Sequence, residues 1–101
     1  MKIKVTVNND PQSILLSQQL RREVFGEEQS IPADLDIDGL DSNSFHAIAY
    51  DKCLAIGIAR LALHKNNRAH LARVAIKKEH RGLGIATQLI KSLLVKAKDL
   101  N

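Results

Sequence analysis

The stretch RVAIKKEHRGLGIA, residues 73–86, decides the fold because it joins an alternating segment to an amphipathic one through a basic, glycine-rich turn. Upstream of the turn, residues 70–76 alternate polar and apolar side chains, and this period of two predicts a strand. Downstream, apolar residues recur every three or four positions, which predicts a helix that buries one face. These apolar residues are Ile85, Ala86, Leu89, Ile90, Leu93, Leu94 and Ala97. The stretch therefore predicts a strand, a glycine-rich loop and a helix in direct succession.

The glycine-rich loop has the chemistry of an anion-binding site. The first N–H groups of a helix have no acceptor within the helix, and the helix dipole places partial positive charge there, so phosphate oxygens bind well. Gly82 and Gly84 let the backbone approach a ligand and tolerate positive φ. Arg81 and the basic residues before it would add charge-assisted contacts. The alternative is that the two glycines only end one element and begin the next.

Two common phosphate-binding loops are excluded by the residues that follow the glycines. A Walker loop requires Lys and Ser or Thr after its last glycine, whereas Gly84 is followed by Ile85 and Ala86. A dinucleotide fingerprint requires a third glycine where this chain has Thr87, and an acid about 20 residues further on. If the loop binds an anion, it therefore does so as neither a Walker loop nor a dinucleotide fingerprint.

The first third of the chain predicts a strand and a helix. Residues 1–7 alternate Lys and Thr with Ile and Val, which predicts a strand. Asp10 and Pro11 are typical of a helix start, and the helix is predicted to run to about Phe25 and to end at Gly26. Its apolar stripe is expected to face a sheet. The stripe consists of Ile14, Leu15, Leu16, Leu20, Val24 and Phe25.

The middle of the chain predicts an acidic loop and then a meander. Residues 27–41 contain six acids and no base, with Pro32 and Gly39 breaking any regular pattern, so a loop with one short helical turn is expected. Residues 45–50 and 53–63 predict antiparallel strands joined by a turn at Asp51 and Lys52. A polar turn at 65–68 then leads to the strand that ends at residue 76. The fold class is therefore α/β (α+β), with three consecutive antiparallel strands.

Length and composition restrict the kind of protein. A chain of 101 residues, 45% hydrophobic and 26% charged, predicts one folded domain. Cys53 is the lone cysteine, which excludes an internal disulfide, and no Cys/His pair has zinc-finger spacing, so no metal is expected. No apolar run approaches the length of a membrane span, and the first ten residues lack a signal peptide's apolar core. A cytoplasmic protein without membrane contact is the expectation.

Charge divides the chain into two unlike halves. Residues 1–59 hold five Lys/Arg against nine acids, a balance of −4, whereas residues 60–101 hold ten against two, a balance of +8. This asymmetry predicts an anion bound by the second half and favours a cationic partner for the first. Nucleic acid is disfavoured, because the basic half has no aromatic residue on which bases could stack and its cations are dispersed over strand, loop and helix.

Residues 81–86 match the pattern Arg/Gln-x-x-Gly-x-Gly/Ala, directly after the predicted fourth strand. In this motif, and in the order of elements over the whole chain, the sequence resembles the GCN5-related N-acetyltransferase (GNAT) family. The resemblance implies the acyl-CoA N-acyltransferase fold. A second set of residues is similar to the small ElaA-like branch of that family. This set comprises Arg21, Arg22, Glu23, Val24, Phe25, Glu28, Gln29, Pro32, Asp36, Asp38, Asp41 and His46.

The resemblance implies acetyl-coenzyme A as co-substrate and acetyl transfer to a primary amine of a small molecule or a protein. The pyrophosphate would lie on the backbone of Gly82, Leu83, Gly84, Ile85 and Ala86, with Arg81 at its oxygens. The pantetheine arm would pair with the backbone of Val74, Ala75 and Ile76, where one N–H would polarise the thioester carbonyl. The alternative function is a non-catalytic acyl-CoA-binding or partner-assembled module.

Catalytic residues have no motif of their own in this sequence. An amine must lose a proton before it attacks a thioester, so the candidate proton acceptors are Glu27, Glu28, His46 and His70. For each of them, a purely structural role is the open alternative. Tyr50, on the second strand, does not match the position of the tyrosine that protonates the thiolate in this family.

The resemblance also implies that family members continue beyond the last helix of this chain. Residues 1–101 would then be a single GNAT-like domain without the usual C-terminal strands and helix. The fourth strand is expected to be an exposed edge, and exposed apolar edges pair with other chains. Self-association or docking of a partner at this edge is therefore expected, together with impaired activity.

Overall fold

A computed structural model describes residues 2–30, 39–66 and 68–100 of the chain. The loop positions Pro32, Asp36 and Asp38, named above, lie outside these ranges. The regular elements are β1 (Ile3–Asn8), α1 (Pro11–Arg21), β2 (Ser44–Asp51), β3 (Leu54–His64), β4 (Arg68–Ile76) and α2 (Ile85–Asp99). A π-helical segment (Arg22–Glu28) continues α1, and single 3₁₀ turns form at Asp41–Asn43 and Lys78–His80.

The four strands form one antiparallel sheet in the order β1-β2-β3-β4. The predicted meander is confirmed. The turn between β2 and β3 is displaced by one residue from its predicted position, because Asp51 pairs with Leu54 and leaves Lys52 and Cys53 as the turn. Lys52 takes a left-handed φ of 58° there. Backbone pairing extends β2 beyond its apolar run, and side-chain polarity alone does not reveal that extension.

Helix α2 covers one face of the sheet, as its apolar spacing predicts. Ile85, Leu89 and Leu93 are buried against small and aliphatic residues of β2 and β3, among them Ala59. Gly57 permits this close approach, since a Cβ there would lie 2.8 Å from Ile76 Cδ1 and 3.3 Å from Leu89 Cδ1. The packing of α2 on the sheet therefore fixes the position of the loop that joins β4 to α2.

Helix α1 packs on the opposite face of the sheet. Its residue Leu20 belongs to one core cluster with Ile58, whereas the neighbouring Ala59 belongs to the cluster that α2 covers. Successive strand residues point to opposite faces, so the two helices lie on opposite faces. The face of α1 that meets the sheet differs from the predicted apolar stripe: Leu15 is 54% exposed, while Ser17 and Arg21 are fully buried. The reason is the sheet surface below it, which carries buried polar side chains.

The prediction that the first helix ends at Gly26 is wrong. The helical turns continue to Glu28, and the chain passes from α-helical to π-helical geometry, with Gln29 N donating to Val24 O at 3.1 Å. Val24 remains buried against Ile58 and Ala75, which keeps this end of the segment on the sheet near the end of β4. None of the described helices is both long and apolar enough to cross a bilayer.

Candidate functional site

The loop between β4 and α2 exposes its backbone at two left-handed glycines. Gly82 and Gly84 have φ of +80° and +76°, a region that other residues enter only at a cost. A Cβ built at either position would meet no described heavy atom within 4 Å, so the space in front of the loop is open. Gly84 is the N-cap of α2, and the helix begins at Ile85. A ligand can therefore reach the main chain of this loop.

The amide groups of the loop are available as donors. The first hydrogen bond that closes a turn of α2 runs from Gln88 N to Gly84 O at 3.2 Å. Within residues 2–30, 39–66 and 68–100, no acceptor is seen for the amides from Gly82 to Thr87. The open N-terminus of a 15-residue helix is a favourable place for phosphate oxygens.

A β-bulge lies in β4 just before the loop. Ile58 pairs with Ala75, but Arg60 pairs with Ala72, so two residues of β4, Arg73 and Val74, lie opposite one residue of β3. Arg73 has a left-handed φ of 57°. A bulge bends the strand and re-aims its backbone, and such irregularities are common beside binding sites. Sequence reasoning missed the bulge.

Arg81 stands at the loop, but its guanidinium is engaged. Nη1 donates to Glu28 Oε1 at 2.8 Å, Nη2 donates to Glu28 Oε2, and Nε donates to Ile76 O at 3.1 Å. The hydrogen bond from Arg81 holds the pKa of Glu28 below its ordinary value, and the same bond raises the pKa of Arg81. The predicted phosphate contact of Arg81 stays a prediction.

Two further contacts tie the loop region to its neighbours. Lys77 Nζ lies 3.6 Å from Glu23 Oε2, and His80 Nε2 lies 3.3 Å from Asp51 Oδ2. The first joins the end of β4 to the π-helical segment, and the second joins the loop to the end of β2. A cleft of about 270 Å³ separates the π-helical segment from the loop. Its lining consists of Glu23, Val24, Glu27, Glu28, Lys77, Lys78 and Glu79.

Of the four candidate proton acceptors, Glu28 contacts Arg81 of the loop, and Glu27 lines the cleft beside it. His46 is fully buried, with Nδ1 2.8 Å from Ser17 Oγ and Nε2 3.1 Å from Asp41 O. Burial holds the pKa of His46 below its ordinary value, against the opposing effect of Asp41. His70 is exposed near the start of β4, six residues before Ile76 and thus roughly 20 Å along the strand. Both histidines remain predictions as catalytic groups, without proximity to the loop.

A buried polar network beneath α1 was not anticipated. Arg21 Nη1 donates to Asp41 Oδ1 at 2.7 Å and Nη2 to Oδ2 at 3.0 Å, while Arg60 Nη1 donates to Oδ1 at 3.2 Å. Gln18 completes the set with a 2.9 Å bond to Oδ2. Burial alone would raise the pKa of Asp41, but the hydrogen bonds and charge of Arg21, with the bonds of Gln18 and Arg60, hold it well below its ordinary value of 3.8.

This network gives a structural meaning to part of the ElaA-like residue set. Arg21, Asp41 and His46 belong to that set and meet in one buried cluster. The signal in the sequence was an arginine three residues before apolar Val24, a spacing that places both side chains on one face of a helix. In the described ranges, no three His, Cys, Asp or Glu side chains converge as metal ligands.

Comparison with known proteins agrees with this geometry. The model of the acetyltransferase (GNAT) family matches residues 14–101. The uncharacterized N-acetyltransferase YjcF of Bacillus subtilis (strain 168) is 30% identical over 97 residues, covering 96% of this chain and 69% of that protein. The crystal structure of an acyl-CoA N-acyltransferase from Pseudomonas aeruginosa has a TM-score of 0.83 at 26% identity, covering 98% of this chain and 73% of that one. Escherichia coli ElaA shares the fold, with a TM-score of 0.82 at 23% identity over 97% of this chain and 71% of its own.

Proposed function

The chain belongs to the acetyltransferase (GNAT) family of acyl-transfer enzymes, and we propose that it binds acetyl-CoA at the β4–α2 loop and transfers the acetyl group to a primary amine. The amine belongs to a small molecule or to a protein. The single observation that carries the proposal is the open row of amide donors from Gly82 to Thr87 at the start of α2.

The residues of the loop fit a diphosphate. The amides of Gly82, Leu83, Gly84, Ile85 and Ala86 would hold its oxygens, because both glycines leave the approach open and the helix dipole adds partial positive charge. Lys78 and Arg81 contribute positive charge beside the loop. When bound, acetyl-CoA supplies the thioester whose acetyl group is transferred.

The backbone of Val74, Ala75 and Ile76 would receive the pantetheine arm. β4 is an edge strand of the described sheet, and an extended ligand can add to such an edge through main-chain hydrogen bonds. The bulge at Arg73 and Val74 supports this role, since it turns the backbone out of the regular ladder at the point where an N–H would polarise a thioester carbonyl.

The acceptor amine would approach from the cleft beside the π-helical segment. This cleft carries four carboxylates, of Glu23, Glu27, Glu28 and Glu79, against the two lysines Lys77 and Lys78, and the excess of negative charge favours a cationic acceptor over an anionic one. Among the proposed proton acceptors, Glu27 and Glu28 line this cleft. Glu28 contacts Arg81 of the loop, and its lowered pKa makes it a weak base while Arg81 holds it. His46 would require an opening of its buried network.

A second candidate function rests on the edge of β4. A row of backbone groups on an edge strand can pair with another chain, which supports a partner-assembled or non-catalytic acyl-CoA-binding module built on a single domain of residues 1–101. Self-association at this edge would appear as a concentration-dependent increase in sedimentation coefficient. Loss of acetyl groups from acetyl-CoA in the presence of an amine panel distinguishes the enzyme from the binding module.

Calorimetric titration with coenzyme A tests the cofactor site. The Gly84→Val variant introduces a branched side chain at φ +76° and into the space in front of the loop, so we expect affinity to fall by roughly tenfold or more. Gly39→Val is the matched control, because Gly39 has the same φ of +76° and no described heavy atom within 4 Å of its Cβ position, yet lies outside the loop. Absence of binding by the unmodified protein at millimolar coenzyme A would refute the proposal.

A further inference from the structure

The π-helical segment Arg22–Glu28 presents two carboxylates to the end of β4 and the loop. Glu23 reaches Lys77 and Glu28 reaches Arg81, and the two acids are five residues apart. Hydrogen bonds in a π-helix span five residues, so residues at this spacing lie on one face, whereas in an α-helix they point in different directions. The change from α- to π-helical geometry therefore places Glu28 on Arg81.

Arg81 has no free bidentate edge in this arrangement. Both Nη atoms donate to the two oxygens of Glu28, and Nε donates to Ile76 O. A guanidinium grips a phosphate in a bidentate manner through either its Nη/Nη edge or its Nε/Nη edge. The first edge is occupied by Glu28 and the second is blocked at Nε by the carbonyl of Ile76. A phosphate can obtain a bidentate contact only by displacing one of them.

We propose that Glu28 is a built-in competitor for the cofactor diphosphate: its carboxylate occupies Arg81 in the cofactor-free protein, and diphosphate binding at the Gly82–Ala86 amides exchanges Arg81 from Glu28 to phosphate. The inference rests on the proposed function, because it requires a diphosphate at the loop. Glu28 is the partner displaced, since its pair with Arg81 is solvent-exposed on both sides, 42% for Arg81 and 30% for Glu28. Exposed ion pairs exchange at small cost.

The exchange changes the surroundings of the Glu28 carboxylate. Once Arg81 turns to phosphate, the carboxylate of Glu28 faces the cleft that it shares with Glu23 and Glu27. Glu23 remains tied to Lys77, which keeps the segment beside the loop. The cleft therefore gains a carboxylate that is no longer paired with Arg81 only after the cofactor has bound, so a cationic acceptor binds more tightly to the protein with cofactor than to the protein without it.

Titration of variants with coenzyme A at low and at physiological salt tests the exchange. Glu28→Gln removes the competitor, and we expect coenzyme A to bind roughly 1.5- to 5-fold more tightly, the factor that corresponds to one exposed ion pair. Glu27→Gln is the matched control: it removes the same charge from the neighbouring residue, for which no contact with Arg81 is described, and we expect less than half of the gain. In an Arg81→Gln background, Glu28→Gln is expected to give no gain. Glu28→Asp, with a shorter side chain, is expected to fall between the unmodified protein and Glu28→Gln.

The outcomes separate this inference from the proposed function. If the unmodified protein binds coenzyme A but Glu28→Gln binds equally or more weakly, the competitor role is wrong and Glu28 instead orients Arg81. If the gain of Glu28→Gln persists in the Arg81→Gln background, or equals that of Glu27→Gln, the effect is general electrostatics and the exchange is also wrong. If none of the proteins binds coenzyme A, the proposed function is wrong, and this inference is wrong as well because it requires a diphosphate at the loop. Circular dichroism of each variant verifies that the fold is intact.

Discussion

Replacement of Asp41 by asparagine is expected to destabilise the protein more than any change of a surface carboxylate. Asp41 is 7% exposed, and its two oxygens accept four hydrogen bonds, two from Arg21 and one each from Arg60 and Gln18. Asparagine preserves the shape but removes the negative charge. The amide NH₂ of asparagine would also face an N–H donor, so at least one buried hydrogen bond would be replaced by a repulsive contact between two donors.

The magnitude follows from the burial of the partners. Arg21 is fully buried and the side chain of Arg60 is 3% exposed, so neither guanidinium can regain its hydration when the carboxylate is lost. Removal of one partner from a buried ion pair costs about 3–5 kcal/mol. Because asparagine keeps one acceptor oxygen, we expect a loss of about 3 kcal/mol in the free energy of unfolding. That is a large part of the roughly 5–15 kcal/mol that stabilises a typical domain.

Thermal unfolding followed by far-UV circular dichroism measures this loss. For a domain of this size, about 3 kcal/mol corresponds to a fall of roughly 12–24 °C in Tm. Asp99→Asn, which changes an exposed carboxylate at the end of α2, is the control and is expected to alter stability by less than about 0.5 kcal/mol. A loss below about 1 kcal/mol for Asp41→Asn would refute the reasoning that the two arginines depend on this carboxylate.

The pH dependence of the same variant gives an independent check. The folded protein holds the pKa of Asp41 below its ordinary value of 3.8, so the unfolded chain binds the proton more readily. The stabilisation by Asp41 is therefore complete well above pH 3.8 and is lost as the pH falls below that value. The difference in stability between the unmodified protein and Asp41→Asn should shrink over the same range.

Two other perturbations test the packing of the sheet faces. Gly57→Ala would bring a Cβ to 2.8 Å from Ile76 Cδ1 on the α2 face. We expect chemical denaturation to show a loss of about 1–3 kcal/mol in the free energy of unfolding. Gly26→Ala is the control and should not be destabilising, because its Cβ would meet only Arg22 Cγ, at 3.8 Å. Burial lowers the pKa of His46 below its ordinary value of 6.5, so the stability of the protein is expected to decline as the pH falls below 6.5. The His46→Gln variant should not show this decline. If the variant still shows the decline, another group causes it.

Two of the features that sequence reasoning missed depend on where backbone irregularities occur. The bulge at Arg73 and Val74 interrupts the regular pairing of β4. Leu71 and Val74 are three residues apart, and both pack against the same core cluster. A strand without a bulge places such residues on opposite faces. The π-helical turn after Arg21 is equally hidden, because the sequence pattern around Gly26 is compatible with a helix end.

The sequence by itself determined the order of strands and helices, the glycine-rich loop and the start of the final helix. These depend on local properties: the period of apolar residues, the conformational freedom of Gly82 and Gly84, and the residues that follow them. The same local residues were sufficient for the resemblance to the acetyltransferase family.

Only the tertiary structure decided which charges meet. Glu28 and Arg81 are 53 residues apart, and Asp41 lies 20 and 19 residues from Arg21 and Arg60. No local pattern encodes such pairs, because a side chain finds its partner through the packing of α1 and its π-helical extension on the sheet. Those contacts placed Glu28 beside the glycine-rich loop and buried His46 beneath a helix.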